Sequence, residues 1–221
     1  AVKTRAQGSG CPYCAGKNVL PEKTSLAAEY PTIAKEWDAA KNMPLLPTQV
    51  ISGTRRKVWW RCEKGHSWQA TIASRTSGCG CPVCANRRIL PGFNDFATTH
   101  PALAAEWHPT KNGNLTPSQV VSGSHQTVWW RCSLGHEWRA EIVDRTRGTN
   151  GCPYCGNKKV LAGFNDLASI EPEIAAEWHP TLNGALTPEM VTAGSNRKVW
   201  WLCPDGHVWR TAISNRTNAK K

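Results

Sequence analysis

Val58-Trp59-Trp60-Arg61-Cys62-Glu63-Lys64-Gly65-His66-Ser67-Trp68-Gln69-Ala70-Thr71-Ile72 is the stretch from which the rest of the chain can be read. Aromatic and β-branched residues crowd both arms and Gly65 sits in the short turn between them, which is the pattern of a β-hairpin. The expected strands are Val58 to Cys62 and Trp68 to Ile72. Cys62 and His66 flank the turn with three residues between them, and Cys81-Pro82-Val83-Cys84 follows after 14 more. Three thiolates and one imidazole from two short loops suit tetrahedral zinc with every position filled, the structural rather than the catalytic arrangement.

Working outward, the hairpin string recurs at Val128 to Ile142 and Val199 to Ile213, so the chain is an internal repeat of 70 or 71 residues. Trp37, Trp107 and Trp178 keep this period, as do Cys62, Cys132 and Cys203 and the Cys-Pro-x-Cys pairs that open at Cys11, Cys81 and Cys152. The second copy repeats the full ligand set as Cys132, His136, Cys152 and Cys155, with 15 residues between the pairs. Buried cysteines or a redox Cys-x-x-Cys would account for the pairs but not for a histidine at matched distance in two copies. Between hairpins, Pro101 to Trp107 and Pro172 to Trp178 carry Pro at a helix N1 position and apolar residues at helical spacing. Thr116-Pro117-Ser118-Gln119 reads as a capping box with Pro at N1, and Thr187-Pro188 repeats its opening. The first copy departs from the others, setting Lys23-Thr24 against Asn94-Asp95 and Asn165-Asp166, and Asp38 against His108 and His179.

The fold expected is therefore a row of small α+β zinc-binding repeats, each a β-hairpin plus short helices. Residues 1–14 supply the second half of an incomplete module, 15–84 and 85–155 are complete modules, and 156–221 carry only the first ligand pair. A unit of about 70 residues with two short strands buries little apolar surface, and a structural zinc can contribute on the order of 10 kcal/mol of folding free energy. Cys11 and Cys14 have no Cys-x3-His before them, while Cys203 and His207 have no Cys-x-x-Cys after them. Three arrangements fit this phase: an excerpt of a longer array, a third zinc site closed within one chain, or one closed between chains, the only route to an oligomer. Cys79, two residues before Cys81, is read as a spare thiol or as a rival ligand to it.

The string Trp-Trp-Arg-Cys-x-x-Gly-His-x-Trp-x-Ala, then Arg-Thr, a Gly-rich loop and Cys-Pro-x-Cys, resembles the bacterial zinc-ribbon or treble-clef repeat family. Leu-Pro-Gly-Phe-Asn-Asp-Phe-Ala from Leu90 and Ala-Ala-Glu-Trp-His-Pro from Ala104 extend the resemblance over nearly the whole chain. It implies zinc-ribbon or treble-clef-like modules and zinc ligation at the same eight residues. Members of that family stand in tandem, sometimes beside endonuclease-like domains of the very-short-patch-repair type, which implies DNA work and a fused or associated nuclease.

The 221 residues carry 27 Lys+Arg against 16 Asp+Glu, a formal +11. Each Cys3His zinc site adds −1, so two sites leave about +9 and a strongly basic protein. No apolar run approaches the roughly 18 residues of a membrane span and the first 20 lack a signal-peptide core, so a reducing, cytoplasmic location is expected. Basic residues gather around the metal hairpins: Arg55, Arg56, Lys57, Arg61, Arg131, Arg197 and Lys198, with Arg139 and Arg210 on the second strands. Arg87, Arg88, Lys158 and Lys159 follow the Cys-x-x-Cys pairs, and Arg75, Arg145 and Arg216 recur before them.

Such a rim can lie against phosphates, so nucleic acid, DNA before RNA, is the expected partner. The alternative is a protein-interaction scaffold whose basic face meets an acidic partner. The recurring arginines are read either as phosphate contacts or as structural groups that bind loop carbonyls, stack on Trp or pair with Glu36, Glu106 and Glu177. Adjacent tryptophans on a strand face opposite ways, so one per module points outward, open to base stacking unless the Trp37-type segment covers it, which is the expectation. Four protein donors leave no open zinc position, and neither a phosphate loop nor a nucleophile motif is present, so no enzyme is expected.

Overall fold

The computed structural model describes residues 11–13, 18–148 and 151–218. They fall into two compact units divided between Asn94 and Asp95. The first unit runs α1 (Leu26–Glu29), α2 (Pro31–Ala34), α3 (Ala39–Asn42), a 3-10 turn (Pro47–Gln49), β1 (Lys57–Arg61), β2 (Ser67–Thr71) and α4 (Ile72–Thr76). The second unit runs nearly the same plan twice. Its first pass is α5 (Phe96–Thr99), α6 (Pro101–Ala104), a 3-10 turn (Pro117–Gln119), β3 (Thr127–Arg131), β4 (Glu137–Glu141) and α7 (Ile142–Thr146). Its second is α8 (Leu167–Ile170), α9 (Pro172–Ala176), a 3-10 turn (Pro188–Met190), β5 (Lys198–Leu202), β6 (Val208–Ala212) and α10 (Ile213–Asn218).

Each strand starts and stops one residue earlier than the sequence suggests, and in the first module a cap ends β2. Thr71 Oγ1 accepts from Ser74 N at 3.1 Å, so Ile72 opens a helix instead of closing a strand. Pro31, Pro101 and Pro172 hold N1 of their helices, where the missing N–H costs nothing. Asp95 and Asp166 cap α5 and α8 through Thr98 N (3.0 Å) and Ser169 N (2.9 Å). Ser25 caps α1 through Ala28 N at 3.2 Å. The first copy is therefore offset by one from the sequence expectation: Thr24-Ser25, not Lys23-Thr24, stands where Asn94-Asp95 does, and the cap survives as a hydroxyl.

The hairpins are antiparallel, with Trp60 opposite Trp68 and Trp59 opposite Gln69. Period-2 alternation sends Val58 and Trp60 inward, where Trp60, Leu26 and Ile72 are fully buried. Trp37 stands edge-on to Trp60 with ring centres 5.6 Å apart, and Trp107 and Trp178 repeat this on Trp130 and Trp201 at 5.5 Å. The Trp37 segment thus covers the inner tryptophan and the free edge of β1, where Arg61 N donates to Glu36 O (2.6 Å) and Asp38 N to Trp59 O (3.1 Å). This corrects the expectation that it covers the outer tryptophan. Trp59, Trp129 and Trp200 remain half-buried on the outer face.

Asn42 completes the edge as a neighbouring strand would. Its Nδ2 donates to Trp59 O (2.7 Å) and its Oδ1 accepts from Trp59 N (2.8 Å). Asn112 and Asn183 treat Trp129 and Trp200 in the same way. These asparagines keep the 70- and 71-residue period, so they were visible in the sequence although ligand spacing alone does not point to them.

Candidate metal centre

Each hairpin turn is built to present a sulfur and an imidazole together. Gly65 takes φ +83°, a left-handed conformation that strains any residue with a Cβ, and Gly135 and Gly206 match it at +82° and +83°. The turn then closes through Gly65 N to Cys62 O (2.8 Å) and Cys62 N to His66 O (3.1 Å). The second pair arrives on the Cys81–Cys84 turn, tied by Ala85 N to Cys81 O at 3.0 Å.

Cys62, His66, Cys81 and Cys84 bring their donor atoms within 4.8 Å of one another, as do Cys132, His136, Cys152 and Cys155. Tetrahedral zinc with Zn–S near 2.3 Å and Zn–N near 2.0 Å requires S···S edges of about 3.8 Å and S···N edges of about 3.6 Å. Cys62 Sγ lies 3.9 Å from Cys84 Sγ, and His66 Nδ1 lies 3.4, 3.7 and 3.3 Å from the sulfurs of Cys62, Cys81 and Cys84. In the second set Cys132 and Cys155 are again 3.9 Å apart, with His136 Nδ1 at 3.5, 3.6 and 3.3 Å from Cys132, Cys152 and Cys155. Both donor sets therefore fit zinc, and their chemistry calls for a cation. Burial and the neighbouring thiols push Cys84 up to about 11 and Cys155 up to about 12. Burial also raises Cys62, but backbone N–H groups of His66 and Lys64 outweigh it and hold the thiol below its usual range. Zinc in these sites crosslinks hairpin to turn, and all four positions belong to the protein.

The surroundings lock the donors. Phe93 and Phe164 stand edge-on to His66 and His136 at ring-centre distances of 4.3 and 4.2 Å. Buried Asn94 staples the second turn: its Nδ2 donates toward Val83 O (2.9 Å) and Arg88 O (3.0 Å), and its Oδ1 accepts from Leu90 N (2.7 Å). Asn165 makes the same contacts to Tyr154, Lys159 and Leu161. These residues lie seven or more positions past the last ligand, where spacing rules for metal sites do not look.

Three arginines expected at a nucleic-acid surface pack within their modules instead, Arg75 and Arg145 buried and Arg216 half-buried. Arg75 is 5% exposed, lies over Trp60 and Trp68 at 5.2 and 5.4 Å, donates to Cys79 O and pairs with Glu36 at 2.6 Å. Arg145 repeats this between Trp130 and Trp138 with Glu106, and Arg216 between Trp201 and Trp209 with Glu177. Their charge is spent on a carboxylate and two ring faces, so they are structural and not phosphate contacts. Arg55, Arg56, Lys57, Arg61, Arg87, Arg88, Arg131, Lys158, Lys159, Arg197 and Lys198 are exposed. Arg61 pairs with Asp38 at 3.2 Å.

Lys41 and Lys111, which the sequence reading missed, sit over Trp59 and Trp129 at 4.2 and 4.6 Å. Arg139 and Arg210 sit over Trp129 and Trp200 at 6.0 and 5.9 Å. His108 and His179 are turn caps: His108 Nδ1 accepts from Thr110 N (3.2 Å) and Lys111 N (3.1 Å), while its Nε2 meets Glu137 at 2.8 Å. Asp38 does the same capping with a carboxylate, accepting from Lys41 N at 3.4 Å. The substitution of Asp by His is thus a change of cap.

Of the terminal half-sites, Cys203 and His207 form the same turn as their counterparts, with Sγ to Nδ1 at 3.4 Å, and Asp205 brings a third donor within 4.8 Å. Cys11 is exposed, as is Cys79, and Cys14 lies outside the described residues. No described helix is long and apolar enough to cross a membrane.

A search of curated proteins finds no match to the chain. A family model described as "Probable Treble clef zinc finger domain" matches three times, over residues 33–87, 103–158 and 174–221, each match spanning one hairpin and its Cys-x3-His turn. The three matches take in well over half of the sequence, and the two Cys3His clusters lie inside the first two, so the chain belongs to this treble-clef zinc finger family as a tandem array of three repeats.

Proposed function

We propose that the array is a nucleic-acid-binding module, with DNA as its ligand, held mainly through phosphates. One observation carries the reading: the outer face of each hairpin sets a half-exposed tryptophan among cations. In the first module Trp59 lies between Lys57 and Arg61 on its own strand, under Lys41 Nζ at 4.2 Å. In the second, Trp129 lies beside Arg131 with Lys111 and Arg139 over its ring. In the third, Trp200 lies beside Lys198 with Arg210 over it. Cations at the edge of a π-face suit a strand whose phosphates pair with the cations and whose bases stack on the ring. Zinc fixes the turn that holds this face, and the closed donor sets favour a binding module over an enzyme. The reducing compartment that free thiolates need favours a cytoplasmic location, and the family resemblance favours work alongside a nuclease.

Salt titration of DNA affinity tests the proposal. Affinity should fall steeply with salt, and Lys57→Ala with Arg131→Ala should lower the log-log slope by about 1.8, near 0.9 per lost phosphate contact. Absent or salt-independent binding at low ionic strength would refute it. A second reading rests on the third module, whose outer face also carries Leu202 and Val208, the latter 47% exposed. That apolar patch favours a protein contact there.

A further inference from the structure

Trp59 turns its backbone to the sheet edge. Its N–H donates to Asn42 Oδ1 (2.8 Å) and its carbonyl accepts from Asn42 Nδ2 (2.7 Å), so both groups point away from β2. Trp59 and Gln69, directly opposite in the register, are therefore a non-hydrogen-bonded pair, the kind whose facing side chains stand closest, with Cα atoms about 4.5 Å apart. Asn112 and Asn183 make Trp129–Arg139 and Trp200–Arg210 the same kind of pair. Each half-buried outer tryptophan thus has one exposed polar side chain beside it: Gln69, Arg139 or Arg210. Arg61 and Lys111 on these faces are tied to Asp38 and Glu137. Among the described residues, by contrast, the Gln69 amide forms no hydrogen bond and neither Arg139 nor Arg210 meets a carboxylate. The two guanidiniums lie 6.0 and 5.9 Å from the ring centres, the outer limit of cation–π attraction, so they turn aside at little cost. In the third module Trp200 and Arg210 line a cleft of about 200 Å³ with Leu182 and Lys198.

We infer that this cross-strand residue selects the base that stacks on the outer tryptophan, Gln69 taking adenine and Arg139 and Arg210 taking guanine in unpaired DNA. The inference rests on the nucleic-acid reading above and names its ligand class, purine-bearing single strands. Stacking on a side chain needs a base outside its duplex, and such a base also offers its edges for hydrogen bonds. A base lying on the indole brings an edge to the side chain one strand away. The carboxamide of Gln69 donates and accepts at once, which matches N7 and the N6 amino group of adenine. A guanidinium only donates, which matches N7 and O6 of guanine. On that edge a pyrimidine offers a single polar group, so it is bound less well by either. Lys41 and Lys111 are exposed, so their ammonium groups are free to move from the rings to the flanking phosphates. On a duplex, where no base leaves its stack, the same arginines meet phosphates alone.

Fluorescence anisotropy of the zinc-loaded full chain tests this with thymine single strands carrying guanine, adenine or cytosine at regular intervals, and with a duplex as control. At one salt concentration the guanine and adenine strands should bind at least about fivefold more tightly than the cytosine strand, the low end for a bidentate contact, with guanine ahead because two modules select it. Arg139→Gln with Arg210→Gln should reverse the order of guanine and adenine, and Gln69→Arg should remove the adenine advantage. All three side chains are exposed, so the variants should keep the wild-type zinc content, which reports that they have folded. Equal affinity for every base composition, or a double variant that weakens all single strands alike, would overturn base selection while salt-dependent duplex binding left the nucleic-acid reading standing. Failure to bind duplex and single strands alike would overturn both.

Discussion

The ion pair at the heart of the first module gives a sharp test, because its two members are buried unequally. The Arg75 side chain is 6% exposed and Glu36 31%, so Glu36 can turn to water and Arg75 cannot. Replacing Glu36 by Ala leaves a guanidinium enclosed by Trp60 and Trp68 with only the Cys79 carbonyl and two ring faces for company. Breaking a buried pair this way costs about 3–5 kcal/mol, and the remaining partners put this case near the lower end, about 3. Arg75→Met instead removes the buried charge, keeps most of the volume and frees a carboxylate that can be solvated. It forfeits one hydrogen bond and the cation–π contacts, about 1–2 kcal/mol. The double variant Glu36→Ala with Arg75→Met should match Arg75→Met alone, since neither charge remains to be stranded.

Amide exchange of the zinc-loaded chain reads this locally. Residues 57–71 should exchange about 100-fold faster in Glu36→Ala, and about tenfold faster in Arg75→Met and in the double variant. A Glu36→Ala variant no worse than Arg75→Met, or a double variant that sums the two losses, would refute the argument that desolvation governs the pair.

Other consequences follow from the same contacts. Asp166 is buried, which raises its pKa, but Ser169 and the Gly163 N–H outweigh this and hold the carboxyl below its ordinary value. A lowered folded pKa adds stability above the unfolded value and loses it as pH falls through the folded one. The stability gap between wild type and Asp166→Asn, measured by urea unfolding, should therefore be about 1 kcal/mol near neutrality and close below about pH 4. Asn94→Ala removes the staple on the Cys81–Cys84 turn and should cost about 10- to 100-fold in zinc affinity at the first site by chelator competition, with the second site unchanged. Full zinc removal should expose the half-buried and buried tryptophans together, seen as a red shift in emission, because metal binding and folding are one event in units this small.

What was legible in the sequence was whatever repeats with the chemistry attached. The hairpins, the prolines at N1 and the eight ligands could be read because a two-residue period, a missing N–H and a Cys-x3-His spacing each have a single physical meaning. Arg75, Arg145 and Arg216 could not be placed from pattern alone. A cation before a ligand loop reads the same whether it faces solvent or two indoles, and only the packing of Trp60 on Trp68 settles it. Trp37 was misplaced for a related reason: alternation says which tryptophan of a pair faces out, not which face the next segment crosses. Lys41 and Lys111 were missed because their contact to the outer tryptophan spans 18 residues of chain through an intervening turn.

The three modules keep their interiors and change their outer faces, and that contrast says where function resides. Trp60, Trp130 and Trp201 are fully buried alike, and each has its edge-on Trp, its stacked Arg and its asparagine-paired neighbour. On the outer face, Trp59 lies opposite Gln69 while Trp129 and Trp200 lie opposite Arg139 and Arg210. Around them the first module sets Lys57, Arg61 and Ser67, the second Thr127, Arg131 and Glu137, and the third Lys198, Leu202 and Val208. Glu137 is held at about 2 by Lys111 and His108, so it stays ionised and cancels positive charge on the second face at any ordinary pH. Contacts to phosphate scale with uncompensated cations; with Arg61 paired to Asp38 and Lys111 to Glu137, each outer face keeps two (Lys57 and Lys41, Arg131 and Arg139, Lys198 and Arg210), so the three modules should contribute about equally to the salt dependence. A shared interior with three unlike faces of similar charge is what a repeated binding surface requires: one metal-fixed scaffold on which the solvent-facing strand positions vary around a constant tryptophan.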